Sequence, residues 1–443
     1  MLQGTEATTE TPINLTTTAV SNAMLRLGLV ILLLASSCNG RAQGPDDSYL
    51  LENVNYLDVT NNTMLSGKSI LIEADTIQQI LNAGESPDVK VDKRIDMTGK
   101  YVLPGLFDMH VHLATDPSGT DQLDTAMARL SKYLDHGVTG VRDMAGDTRQ
   151  LAFLARQAAL DQINSPDVYY SALMAGPEFF SDPRTAASAQ GHEPGKTSWM
   201  RAIDHDTNIA LAVAEAKGTG ATGIKLYADL PADLCAAIIK EARIQGIKVW
   251  AHASVLPALP QDLVNADIHS VSHSPLLDWQ TAGKVAESGF QRYNRAVLNV
   301  EKPQFTALMA DMAQKQVFLD PTVKIYASRE LLYDNAVKGT IAAYEAGVPL
   351  VMGTDMALER SGVEHFPIID EMELWVNELG IPAIEVIKAA TLNSAILLGI
   401  DHEVGSIAVG KKANLLVLSA NPLDDIKHIR QVAGVIKNGS QVK

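Results

Sequence analysis

Cysteine is almost absent, with Cys38 and Cys235 the two examples in 443 residues. Two thiols cannot build a disulfide framework, so the compartment has to be read from another feature. Positive charge is also scarce. Fifty-two Asp and Glu face 36 Lys and Arg, a formal net charge of -16, which leaves no phosphate-neutralising excess and argues against a nucleic-acid partner. A local basic pocket can still hide in that total. Long hydrophobic runs are missing too, since the apolar tract after Met24 is too short to cross a bilayer. There is no short-period repeat and no low-complexity tract.

What remains is an ordinary folded composition, 46% hydrophobic and 20% charged. The length suits one large domain with an accessory module. Near the N-terminus, Met24-Leu-Arg-Leu-Gly-Leu-Val-Ile-Leu-Leu-Leu-Ala-Ser-Ser-Cys38 has one basic residue, a short apolar core, small residues and then cysteine. It resembles a bacterial lipoprotein signal peptide whose processing leaves Cys38 as a lipidated first residue. Ala35 stands where such signals carry Leu, and an unprocessed apolar segment is the alternative. The expectation is an exported periplasmic or outer-membrane lipoprotein, touching membrane through Cys38 alone, with Met24 as natural start and residues 1–23 an upstream extension.

Residues 101–113 organise the rest. An almost wholly apolar run ends in His110-x-His112, and residues i and i+2 of a strand face one side, so both imidazoles can reach one metal ion. A run without polar alternation suits a parallel strand covered on both faces. Downstream, apolar segments near residues 138–144, 167–174, 223–228, 248–254, 268–275, 317–322 and 349–355 alternate with helical stretches, the pattern of an α/β fold. Eight strands counted from the His-x-His segment close economically as a (β/α)8 TIM barrel. Short strands and turns over 51–100 and again after Gly405 make a small β-sandwich module from both chain ends. The expected divisions are 1–38 for the extension and signal, 39–100 and 401–443 for the two parts of the module, and 101–400 for the barrel.

In such barrels reactive groups stand at the C-terminal ends of the strands. His110 and His112 end the first, Lys225 lies on the fourth, His252 on the fifth, His273 on the sixth and Asp355 on the eighth. Four imidazoles and a carboxylate suit zinc or a similar divalent ion and are too many for one open catalytic site, so two ions are the simpler account. His269 shares the strand face of His273 one layer deeper, and reads as packing or support for the ligands.

This ordered set resembles the amidohydrolase superfamily, as do Leu103-Pro-Gly-Leu-Phe-Asp, Gly137-Val-Thr-Gly-Val-Arg-Asp, Gly353-Thr-Asp and Ala390-Thr-Leu-Asn-Ser-Ala. Within that superfamily it most resembles the imidazolonepropionase and Xaa-Pro dipeptidase-like branch. The resemblance implies that His110, His112 and Asp355 hold one zinc ion, His252 and His273 the other, and Lys225, carbamylated by carbon dioxide, joins them. It implies a bridging hydroxide, with Asp355 passing its proton to the leaving amine. Tyr227, on the face of Lys225, could donate to the oxyanion; a packing role is the alternative. His192 lies in Gln190-Gly-His-Glu-Pro-Gly195, where that branch carries Gly-Gly-His-Gly, and is a candidate substrate contact; His365 is a second candidate for the pocket wall.

The expected activity is hydrolysis of an amide or peptide C–N bond in a small molecule of the dipeptide or N-acyl amino acid type. A cyclic amidase or lactonase on the same centre is the alternative enzyme, and a non-catalytic lipid-anchored binding protein the alternative of another class. Oligomeric state is left open, a homo-oligomer included.

Overall fold

The computed structural model describes residues 48–115, 122–283, 293, 296–356 and 366–443; the readings placed on Cys38 and His365 fall outside them. In chain order the strands are β1 (Ser48–Asp58), β2 (Thr63–Glu73), β3 (Thr76–Leu81), β4 (Lys93–Asp96), β5 (Tyr101–Pro104), β6 (Leu106–Val111), β7 (Val138–Asp143), β8 (Asp167–Ala175), β9 (Met200–Ala202), β10 (Gly223–Leu226), β11 (Lys248–His252), β12 (Ser270–Ser272), β13 (Phe318–Asp320), β14 (Leu415–Leu418), β15 (Val432–Lys437) and β16 (Ser440–Gln441).

The organising stretch is two strands rather than one. β5 pairs with β1 and β14 in one sheet, whereas β6 pairs with β7 in the other. Gly105 makes the change of sheet, because a Cβ there would lie 2.2 Å from Thr139 Oγ1. The barrel therefore starts after residue 105, a few positions later than its sequence suggests.

Seven barrel strands run in the parallel order β6-β7-β8-β10-β11-β12-β13. Segment 349–355 is the eighth stave. On one side Leu319 N donates to Pro349 O and Val351 N to Leu319 O; on the other Met109 N donates to Met352 O and Asp355 N to His110 O. Its bonds thus reach β13 and β6 and close the ring. Helices such as Leu123–Asp135, Thr148–Ala159 and Ala232–Gln245 return the chain between strands, with Leu130, Leu151 and Ile238 buried against the sheet. The loop after β8 contains a short helix, Pro183–Ala189, and the extra strand β9, which pairs with β8. Helix Glu330–Glu345 carries no strong apolar signature, because the residues it buries are Asn335, Ala336, Gly339, Thr340 and Ala343.

The module is one eight-stranded sheet, order β16-β15-β14-β5-β1-β2-β3, with β4 beside β1. Its central strands are covered on both faces by the period-two rule. Val102, Leu415, Val417 and Ile436 enter the module's own core, while Leu103, Leu416, Leu418 and Val435 enter the main core with the barrel.

Candidate metal centre

His110, His112, His252, His273 and Asp355 gather at the C-terminal ends of their staves. One ligand atom each from His110, His273 and Asp355 lie within 4.8 Å of one another. His112 Nε2 is 3.2 Å and His110 Nε2 3.7 Å from Asp355 Oδ1, and His273 Nδ1 is 3.9 Å from Asp355 Oδ2. The rings of His110 and His273 are 4.8 Å apart, and those of His273 and His252 4.9 Å. Lys225 is fully buried, its ammonium donating to Ser272 Oγ at 2.9 Å and acting on His110 electrostatically.

The donor set fits divalent cations, and the fit is visible in what the other ring nitrogens do. Nδ1 of His110 meets Asp320 Oδ2 at 2.6 Å, Nδ1 of His112 meets the Ala145 carbonyl at 3.3 Å, and Nδ1 of His252 meets the Tyr227 carbonyl at 2.6 Å. A carbonyl or carboxylate can only accept, so Nδ1 carries the proton and Nε2 keeps its lone pair for a metal. His273 Nδ1 lies 2.8 Å from the Thr322 hydroxyl.

Electrostatics agree. Burial works to raise Asp355, but the imidazoles of His110, His112 and His273 outweigh it and hold the carboxyl far below its ordinary range. Burial lowers His110 despite Asp320 and Asp355. For His112 burial is overcome by Asp355 and Asp143, which raise it. Backbone conformation is strained at the same place, with His273 (φ 73°), Thr322 (φ 50°) and Asp355 (φ 53°) in the left-handed region. Each such residue costs about 1–3 kcal/mol and persists where surroundings over-determine it.

Several residues that build this centre escaped the sequence reading. Asp320, on β13, also faces Arg142 Nη2 at 3.5 Å, and Arg142 donates to the Met109 carbonyl at 2.7 Å while lying over Trp250. Burial pulls this guanidinium down to about 10. Gly353 is required beside them, since a Cβ there would sit 2.2 Å from Asp320 Oδ1 and 2.8 Å from His110 Cβ. Asp108 accepts from the amides of His110 and Thr354, both at 3.1 Å, tying the first stave to the eighth. The signal for Asp108 and Arg142 was the motifs that contain them; Asp320 had none, being one acid at the end of a short apolar strand.

Residues 101–442 match the amidohydrolase family. The chain belongs to the amidohydrolase family. It is 22% identical to a 5-methylthioadenosine/S-adenosylhomocysteine deaminase of Thermoanaerobacter pseudethanolicus, over 83% of this chain and 84% of that protein. An imidazolonepropionase of Shouchella clausii is 24% identical, over 87% of each chain. Among solved structures, a Xaa-Pro dipeptidase with bound methionine in the active site superposes with a TM-score of 0.71 at 22% identity, covering 89% of this chain and 100% of that one. This amidohydrolase is accordingly a member of a hydrolase family that uses divalent metals, and its His and Asp cluster lies where the barrel presents its reactive end.

The two remaining candidates of the amidohydrolase differ in position. Tyr227 stands at the centre, its ring 4.3 Å from His252 and 4.8 Å from Phe179. His192 is exposed after helix Pro183–Ala189, and among the described residues its ring contact is Trp199, at 5.6 Å; no described contact joins it to the cluster. His269 is not one layer below His273 inside the barrel. It precedes β12, its Nδ1 accepts the Val249 amide at 3.2 Å, and it lines a cavity at the opposite end. Ser270 and Ser272 face the barrel interior, where their hydroxyls meet Arg142 and Lys225, so His269 shares the outward face of Val271, and the left-handed backbone of His273 (φ 73°) breaks the alternation that would have aligned the two histidines.

Proposed function

We propose that the protein is a binuclear metal-dependent hydrolase that cleaves the amide C–N bond of a dipeptide or N-acyl amino acid. The observation that carries this reading is the convergence of imidazoles whose Nδ1 atoms are committed elsewhere around a single deprotonated carboxylate. His110, His112 and Asp355 would hold one ion, His252 and His273 a second, and Lys225, as its carbamate, would join the two sites. When bound, such ions lower the pKa of water and polarise a scissile carbonyl.

The chain's own groups do the rest. Asp355, kept ionised by its histidines, accepts the proton of the attacking water and delivers it to the leaving amine. The Tyr227 hydroxyl, beside His252, donates to the oxygen that gains charge at the tetrahedral carbon. Asp320 and the two backbone carbonyls keep the imidazoles in the tautomer the ions need. The likeness to a Xaa-Pro dipeptidase that holds methionine in its active site supports a small acyl substrate with a free carboxylate. We further propose export with a lipid at Cys38, on the pattern of residues 24–38; mass spectrometry of the native N-terminus tests it, and an intact unlipidated end overturns it.

The deciding experiment reconstitutes the purified protein with zinc or manganese and bicarbonate, then screens dipeptides, N-acyl amino acids, cyclic amides and lactones. The expected result is two metal ions per chain and hydrolysis of a dipeptide or N-acyl amino acid that Asp355→Ala abolishes. Turnover confined to lactones, or none in any class, removes the reading.

A further inference from the structure

The end of the barrel away from the metal-centre histidines holds a cavity of 470 Å³, assembled from the first residues of β11 and β13 and the turn before β12. Ile268, Phe318, Ile396 and Leu397 give it an apolar wall, and Arg243, Lys248 and Lys315 bring three positive charges. Ile396 is 42% exposed, so the wall reaches solvent with part of its apolar surface uncovered. In a chain of formal charge -16 such a basic concavity runs against the general balance.

The charges are unevenly matched. Asp267, also in the lining, meets Lys315 at 2.8 Å and Arg243 at 3.5 Å, and is thereby shared between two cations. Lys248 has no carboxylate within 4.0 Å among the described residues, although Asp401 acts on it from farther off. Its Nζ lies 3.5 Å from the place of a Cβ on Gly399, at the carbonyl end of helix Leu392–Leu398, which offsets part of its charge. The lysine is half-buried, and burial lowers it.

His269 supplies the neighbouring donor. Its Nδ1 accepts the Val249 amide, which fixes the neutral tautomer with the proton on Nε2. Burial, Lys248 and Arg243 push the ring down to about 4, so it stays a neutral N–H donor over the physiological range. An ammonium lacking a close counter-charge, an N–H donor and an apolar wall around one cavity are the complement of an amphipathic anion.

We propose that this cavity binds a small organic monoanion, a carboxylate on an apolar body, with Lys248 and His269 Nε2–H holding the carboxylate and Phe318, Ile396 and Leu397 covering the body. The site is independent of the metal centre and of the hydrolase reading. Calorimetric titration of the purified chain with octanoate, and with octan-1-ol as its uncharged counterpart, tests it. One octanoate per chain is expected, bound at least roughly ten-fold tighter than the alcohol, with roughly ten-fold loss in Lys248→Met, recovery in Lys248→Arg and loss in His269→Leu. His110→Ala, which alters the other end, is expected to bind octanoate as the parent does. Equal affinity for acid and alcohol, no octanoate binding, or binding kept in Lys248→Met and His269→Leu but lost in His110→Ala, each overturns the assignment. Should Lys248→Met not fold by circular dichroism, the His269→Leu and His110→Ala pair decides.

Discussion

At the scale of single residues, the four histidines and Asp355 that converge were legible and their supports were not. His-x-His on an apolar run, and single His or Asp residues at strand ends about one βα unit apart, carry their own spacing signal. Asp320 meets His110 across 210 positions of sequence, a distance over which no local pattern operates. Its carboxylate sets the tautomer and basicity of His110, and losing such a partner typically costs roughly 10–100-fold in metal affinity. Asp320→Ala is therefore expected to weaken zinc binding by about that factor in a chelator competition, with Asp320→Asn intermediate; unchanged affinity would show that His110 needs no such support. Asp278 makes a different prediction. It is 1% exposed, and burial, offset in part by the Trp279 backbone amide, pushes it up to about 8. Its folded pKa thus exceeds its unfolded one near 3.9. The folded state binds the extra proton between these values, so stability is lost as pH rises from about 4 through 8. Relative to the parent, Asp278→Asn should gain stability between pH 5 and pH 8, on the order of 3 kcal/mol. Urea unfolding at the two pH values reads this, and a pH-independent difference would contradict it.

At the scale of elements, parallel strands announced themselves because both faces are buried and the runs are nearly unbroken in apolar character. The failures have equally physical causes. Residues 101–113 read as one strand because apolar character continues through Gly105, although the side-chain surroundings change from one sheet to the other there. Helix Glu330–Glu345 was silent because close packing on the turn Ser274–Gln280 selects small and polar residues: Ser274 Oγ donates to the Ala336 carbonyl, and Thr340 Oγ1 donates to Ser274 Oγ. Gly353 shows how an element can be set by one missing methyl. Gly353→Ala places a Cβ against Asp320 and the His110 stem, and overpacking of this kind costs about 1–3 kcal/mol. We expect a lower urea midpoint together with weaker zinc binding, because the displaced atoms belong to the His110–Asp320 pair. Lost stability with intact zinc affinity would separate the two.

At the scale of the whole molecule, the split module was legible as short strands at both ends, but its relation to the barrel was not. That relation rests on the second face of β5 and β14, which sends Leu103, Leu416 and Leu418 into the barrel's core. Removing residues 415–443 should accordingly unfold more than the module. The expected outcome is a chain without cooperative thermal unfolding by circular dichroism; a shortened chain that melts in one transition near the parent's would show the barrel to be self-sufficient. The same architecture sets an order of events during synthesis. One glycine separates β5 from the strand that carries His110 and leads into His112, and β5 gains its second neighbour, β14, when residues 415–418 arrive. Until β14 has been synthesised the brace behind the histidine pair is missing, so the pair gains its full backing only after all eight staves have been made.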